Sequence, residues 1–396
     1  MCDYTFRNGE KCPEPAIEGS RFCVLHVPFP EDNEDPEYQR LKEMKEEKTK
    51  EKVNSGDFNF EGAILYSFDL PVKTEGDINF NDVRIKEDAK FESANIGGNV
   101  WFESANIGRN VWFESAKTGS DVWFRGIKIA GDALFNNVKI GGNVVFGGAN
   151  IIGNTIFGGA EIIGYAWFES VNVGGETWFA KANIRGYILF RMANLGKNVN
   201  FIHAKIDGDA LFAGSEIGEN ALFNSASFSG KVELIPIYVK GIVDFRDAKF
   251  SSHKAQENAC RLAKNQCIKF GDNHEADKYF YREMEGKRKQ KLEIFRWPEY
   301  ILVQLIFGYG VRPLRTFCIW FGFILTFAII YFSYQTLDPG SEFIEYFYLS
   351  TTTAMTPGFG GYKISPAWQG LALVEAFFGT FMWAAFITIF ARKYMR

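Results

Sequence analysis

The sequence predicts a two-part chain: a β-solenoid followed by an α-helical module that crosses a membrane twice. Three observations carry this reading. Phenylalanine recurs every eleven residues from Phe80 to Phe223. Two runs near the C-terminal end, Leu314 to Tyr334 and Ala367 to Phe390, hold 21 and 24 residues with very few charges. A bilayer core about 30 Å thick needs roughly 20 helical residues, so each run is long enough to span it. Between the runs lies the Thr- and Gly-rich stretch "STTTAMTPGFGGY", Ser350 to Tyr362.

At 396 residues the chain has room for several folded units, and its net charge of -4 argues against a general nucleic-acid binder. The first 26 residues are polar and hold three of the six cysteines, which is no signal peptide. The N-terminus is therefore expected in the cytoplasm, where disulfides are disfavoured. Cys2, Cys12, Cys23 and His26 form a C-x9-C-x10-C-x2-H pattern. Three thiolates and an imidazole can close a tetrahedral structural zinc site, so residues 1–28 read as a zinc-binding module. The alternative is a loosely ordered tail with free thiols. Residues 29–56 are charged and mixed in sign, a linker or a short solvated helix.

The solenoid is expected over residues 57–254. Five residues after each phenylalanine comes a second apolar series, Ile85, Ile96, Ile107 and onward to Phe250, broken only by Thr118. Two positions before each member lies a small or β-branched residue, as Ala94 before Ile96 and Val100 before Phe102. Spacings of five then six fit neither a helix nor a long strand; they fit short extended faces joined by corners. The residue before each phenylalanine should point outward, and it is often large, as Trp101, Trp112, Trp123, Leu134, Trp167 and Trp178. Such stripes mark contact with another surface, unless loops or bulges cover them. His203 stands alone and reads as structural.

With units such as "SANIG" and "DAKFS", this region resembles the pentapeptide-repeat family, whose units wind a right-handed quadrilateral β-helix. The extra residue in every second unit makes an 11-residue double unit and about 22 residues per turn. Eight turns at about 4.8 Å each give a rod roughly 38 Å long. Some members of that family mimic DNA, which requires a strongly acidic rod. Residues 57–255 carry 23 Asp and Glu against 19 Lys and Arg, so that function is not expected. Nothing in the chain suggests an enzyme: paired catalytic carboxylates, a nucleophile with its base and a phosphate-binding loop are all missing from the sequence.

Residues 255–292 lose the eleven-residue period and read as a helical hairpin turning at Gly271 and Asp272. Residues 293–313 read as an amphipathic helix at the membrane interface, with Glu299 to Phe307 as its helical part and Trp297 and Tyr300 as interfacial aromatics. Seven basic residues from Lys287 to Arg315 lie before or at the start of the first span, and Arg392, Lys393 and Arg396 follow the second. The connection carries Asp338, Glu342 and Glu345 against Lys363, so both termini and the solenoid are expected inside the cell.

Span, amphipathic "SEFIEYFYLSTTTAM", "TPGFGG" and second span, in that order, resemble the pore module of two-helix potassium channels over residues 314–396. The resemblance implies spans at 314–334 and 367–390, a re-entrant pore helix at 342–355 bearing Thr352 and Thr353, and a selectivity filter at 356–360. The filter would be Thr356, Pro357, Gly358, Phe359 and Gly360, with K+ as permeant ion. Thr353 and Thr356 keep the family's threonine spacing, and Gly379 falls where relatives have an inner-helix glycine. Glu375, an acid inside a span, is expected to be hydrogen-bonded behind the filter or at the outer end of the helix, or paired with another chain. One filter per chain implies a homo-oligomer, a tetramer by the resemblance, in a lipid bilayer. Pro357 and Gly361 depart from the family's V-G-Y-G-D, which leaves a non-selective or sodium-permeable cation pore as the alternative. A membrane-anchored scaffold with a non-conducting pore module is the reading from another class. A regulatory ligand or protein partner is expected but is not identified by the residues.

Overall fold

The computed structural model describes residues 1–70, 73–337, 340–355 and 364–395. The chain divides into two compact units, Met1–Ala276 and Asp277–Arg396.

The first unit is a four-faced parallel β-solenoid. Among the described residues its strands, of two or three residues each, stack into three sheets of nine strands and one of eight. Each strand pairs in parallel with the strand one coil on, so Val111 lies against Ala133 and Ile129 against Ile151, a step of 22 residues. The first coil is shorter: Ile64 pairs with Arg84 and Phe68 with Ala89. Equal coil length places each side chain on its equivalent above and below. The phenylalanines therefore form two columns, Phe60 to Phe212 and Phe68 to Phe245, with stacked rings 4.6–5.4 Å apart within each. Rings of one column meet the other edge to face, as Phe91 meets Phe102 at 89°. Both arrangements suit the aromatic quadrupole.

Two kinds of corner make the square. After Phe91, a four-residue turn closes with the Ala94 N–H donating to the Phe91 carbonyl at 3.1 Å. Ser93 there is left-handed, φ 56°, as the third residue of a type II turn must be. Ser, Asn, Asp or Gly recurs at this position, and His203, φ 57°, is one of its occupants. At the other corner, side chains ladder from coil to coil. The Asn110 N–H donates to Asp88 Oδ1 at 2.9 Å, Asp132 N–H to Asn110 Oδ1 at 2.8 Å, and Asn154 N–H to Asp132 Oδ1 at 2.6 Å. Backbones crowd at these corners: a Cβ on Gly97 would sit 2.6 Å from the Glu75 carbonyl oxygen.

Trp101, Trp123 and Trp167 share the outward column of one face, and Trp112 and Trp178 that of the opposite face. Trp101, Trp112, Trp123 and Trp167 are half-buried, and Trp178 is exposed at 38%. A Cβ on Gly147 would lie 3.7 Å from the Trp167 indole nitrogen.

Both ends of the solenoid are covered, as an unpaired sheet edge and an open core demand. At the start, the Ile64 N–H donates to the Leu25 carbonyl at 2.7 Å, and the Arg7 guanidinium grips Asp82 at 2.7 Å and Glu103 at 2.8 Å. The expected charged linker contains a helix, α1 (Pro36–Ser55), capped by Asp35 and ended by left-handed Gly56. Its Lys45 is 1% exposed and donates to the carbonyls of Val24, Leu25 and Val27 at 2.7–3.2 Å. Burial pulls its ammonium down to about 7, while the three acceptors favour the charged form. At the far end α2 (His253–Lys269) packs on the last coil, Gln266 donating to the Val239 carbonyl at 3.1 Å.

After α3 (Asn273–Lys289), the second unit runs through α4 (Glu293–Glu299), a π-helical turn at Tyr300–Ile306, then α5 (Pro313–Ser333), α6 (Phe343–Met355) and α7 (Gln369–Tyr394). The π turn takes up most of Glu299 to Phe307, expected as the helical part of the amphipathic segment.

Thermal unfolding of the full chain in detergent, followed by the β-sheet circular dichroism signal, should separate two variants. Phe146→Ala empties one ring from a continuous column and should cost about 3–5 kcal/mol. Thr118→Ile completes the column between Ile96 and Ile140 and should gain about 1 kcal/mol.

Candidate functional site

Two constellations bring site residues together, one in each unit. In the first, Cys2, Cys12, Cys23 and His26 are all buried and their ligand atoms lie within 4.8 Å of one another. Cys23 Sγ is 3.1 Å and Cys2 Sγ 3.5 Å from His26 Nδ1, and Cys12 Sγ is 4.0 Å from Cys23 Sγ. A tetrahedron with sulfur at about 2.3 Å and nitrogen at about 2.0 Å spaces its donors roughly 3.5–3.8 Å apart, close to what is found. The ring is held for the task. Its Nε2–H donates to the Glu61 carbonyl at 2.9 Å, which leaves Nδ1 to present a lone pair to the sulfurs. Tyr4 stacks on it at 4.1 Å. Burial pushes the Cys23 thiol up to about 12 and the His26 imidazole down, so the pocket favours neutral groups unless a cation balances the thiolates. The residues fit zinc in donor type, number and spacing.

In the second unit, α5 and α7 are long and apolar enough to cross a membrane, with mean hydropathy 2.0 and 1.8. Only 28% and 22% of their most apolar windows is buried, unlike the core helix of a soluble protein. Between them α6 has 13 residues, about 20 Å of helix and too short to span.

The three helices are tied together at Glu375. This carboxylate is 0% exposed and accepts a hydrogen bond from the Tyr331 hydroxyl of α5 at 2.6 Å. The Ser350 hydroxyl of α6 stands between Glu375 Oε1 and the Ile324 carbonyl of α5, 2.8 Å from the latter. One acid on α7 therefore fixes two neighbours, and each polar atom of the knot has a partner. One turn further along α7, Gly379 permits close approach: a Cβ there would lie 2.5 Å from Ala354 Cα of α6. Its carbonyl accepts from the Trp320 indole at 3.1 Å.

Thr352 bonds back to the Tyr348 and Leu349 carbonyls, at 3.0 and 2.9 Å. Thr353 is fully buried, and its hydroxyl has no partner among the described residues. Thr356, Pro357, Gly358, Phe359 and Gly360 lie outside the described residues. Sequence reasoning missed Ser350 and Tyr331; a serine inside an amphipathic helix and a tyrosine within an apolar run were the available signals.

Residues 319–396 match the family described as an ion channel. None of the curated proteins and none of the solved structures matches the chain. The chain thus carries an ion-channel domain at its C-terminal end, behind a β-solenoid with turns of about 22 residues.

Replacing Glu375 tests the knot. Glu375→Leu strands the buried Tyr331 hydroxyl and leaves Ser350 bonded to the Ile324 carbonyl alone, and should lower the thermal midpoint of the detergent-solubilised chain, at about 1–3 kcal/mol for the stranded group. Glu375→Gln keeps acceptor and donor and should lose much less.

Proposed function

We propose that the chain is one subunit of a tetrameric cation channel that conducts potassium through Thr356, Pro357, Gly358, Phe359 and Gly360. The observation that carries this reading is the ion-channel match at residues 319–396, laid over two spans that enclose a helix too short to cross. Carbonyl oxygens in such a filter replace the hydration shell of the ion, and glycines supply the dihedrals that turn them inward. Thr356 follows the C-terminal end of α6 in the sequence, so in this reading the negative end of the helix dipole would favour a dehydrating cation. Glu375, through Ser350 and Tyr331, holds α6 against both spans and keeps that end in position. A single filter strand cannot surround an ion; four chains would.

Pro357 keeps its carbonyl but has no N–H to brace it from behind, and Gly361 removes the acidic residue usual at the outer mouth. Potassium remains favoured over sodium in this reading, with discrimination below that of a valine filter. The exposed Ile294, Phe295, Trp297 and Leu302 suit the inner membrane interface, and the basic residues beside the spans support a cytoplasmic solenoid and cytoplasmic termini.

The Cys2, Cys12, Cys23 and His26 cluster holds a structural zinc ion in this proposal. Bound zinc would balance the thiolate charge. The Glu61 carbonyl, by fixing His26, links the metal module to the first coil of the solenoid.

In liposomes holding the full chain, potassium flux should exceed sodium flux, and Pro357→Val should widen the ratio by about tenfold, near 1.4 kcal/mol of added discrimination. Anion flux, or no cation flux under any applied potential or pH, would contradict the reading. Elemental analysis of the purified chain should find one zinc per chain, lost in Cys23→Ser together with part of the thermal stability. A metal-free wild type of equal stability would remove the zinc.

A further inference from the structure

Gly308, Tyr309 and Gly310 are three successive residues with left-handed backbone, φ 54°, 55° and 76°. A tyrosine in that region is strained, and such strain persists only where the surroundings impose it. Here the surroundings are two arginines. A Cβ on Gly308 would lie 2.9 Å from Arg312 Cβ, and one on Gly310 would lie 3.7 Å from Arg392 Nη1. Each glycine thus faces one arginine side chain: Arg312 at the start of α5, and Arg392 near the end of α7.

Both guanidinium groups then reach α3, on consecutive aromatic rings. Arg312 lies 4.2 Å from the Tyr281 ring centre and Arg392 lies 5.5 Å from that of Phe280. Both distances fall within the range of a cation–π contact. Around this pair the bonding is dense. Lys393 donates to the Val311 carbonyl at 3.4 Å, fastening the end of α7 to the turn. Gln304, buried in the π-helical segment, accepts from Arg288 at 2.9 Å and from the Tyr309 hydroxyl at 3.2 Å, and donates to the Tyr281 hydroxyl at 3.0 Å. Arg315 of α5 donates to the Gln304 carbonyl at 3.3 Å. The ends of the two spans that lie nearest each other are therefore held by one helix that belongs to neither.

We propose that Phe280 and Tyr281 of α3 are a latch on the adjoining ends of α5 and α7, which sets the equilibrium between the open and closed states of the pore. This rests on the channel reading. A movement of α3 would reach both spans at once through Arg312 and Arg392, without crossing the filter.

The test uses the full chain in planar bilayers, comparing wild type with Phe280→Ala, Arg392→Ala, the double variant and Arg392→Lys. Each alanine variant should shift the open probability by about two- to five-fold, the scale of one such contact, and in the same direction. The double variant should shift it no further than either single one, and lysine should restore most of the wild-type behaviour. Unitary conductance and ion preference should stay unchanged. Open probability untouched by both single variants, or a double effect equal to their product, would overturn the latch. Hydrogen exchange of the same chains in detergent supplies a readout that needs no conduction: Arg392→Ala should speed exchange at the amides of 280–286. Faster exchange with a wild type that never conducts would end the channel reading and leave the clamp standing. Unchanged exchange would overturn the clamp whatever the currents.

Discussion

A backbone polar group that leaves water has to be paired, and the two units meet that demand differently. In the solenoid, the strand N–H groups find carbonyls one coil away and the corner N–H groups a turn carbonyl or a side-chain oxygen, and the strand pairing fixes the coil at a constant 22 residues over most of its length. Everything else there follows from that constancy. Phenylalanine falls on phenylalanine, asparagine on aspartate, and the corner residue is left-handed every eleven positions. In the second unit the pairing is internal to each helix. A short helix such as α6 must therefore end against protein, and α5 and α7 enclose it.

Where elements meet without strand pairing, buried ionisable groups do the joining, and each has hydrogen-bond partners. The Lys45 ammonium meets three carbonyls and fastens α1 to the N-terminal module. The Glu375 carboxylate meets two hydroxyls and fastens α7 to α5 and α6. Burying such groups is costly unless every donor or acceptor is answered, so each fixes one arrangement of its neighbours. The metal cluster has the same logic, since its histidine is oriented by a carbonyl of the first coil.

The eleven-residue period made the solenoid legible before any coordinates, because a stacking fold writes its geometry into spacing. A turn of about 22 residues implies which phenylalanines share a column, but not that the first coil is shorter, which the pairing of Ile64 with Arg84 shows. The tryptophans read as outward and lie in outward columns, four of them half-buried, a degree of burial set by side-chain width that alternation does not encode. Cysteine and histidine identities pointed to the cluster, while its dependence on the Glu61 carbonyl is backbone geometry and leaves no residue signature. Glu375 stood out as an acid in an apolar run. Ser350 and Tyr331 did not, because hydroxyl residues are common in such helices and only packing shows which ones meet the acid. The Gly308 to Gly310 turn was visible as two glycines, but its arginine partners come from distant positions.

The central claim is that four copies of this chain surround one pore. Native mass spectrometry of the full chain, extracted in mild detergent, tests it most directly. The account predicts a dominant species of four times the chain mass of 44.9 kDa. A preparation that conducts ions yet contains only monomers or dimers would contradict it.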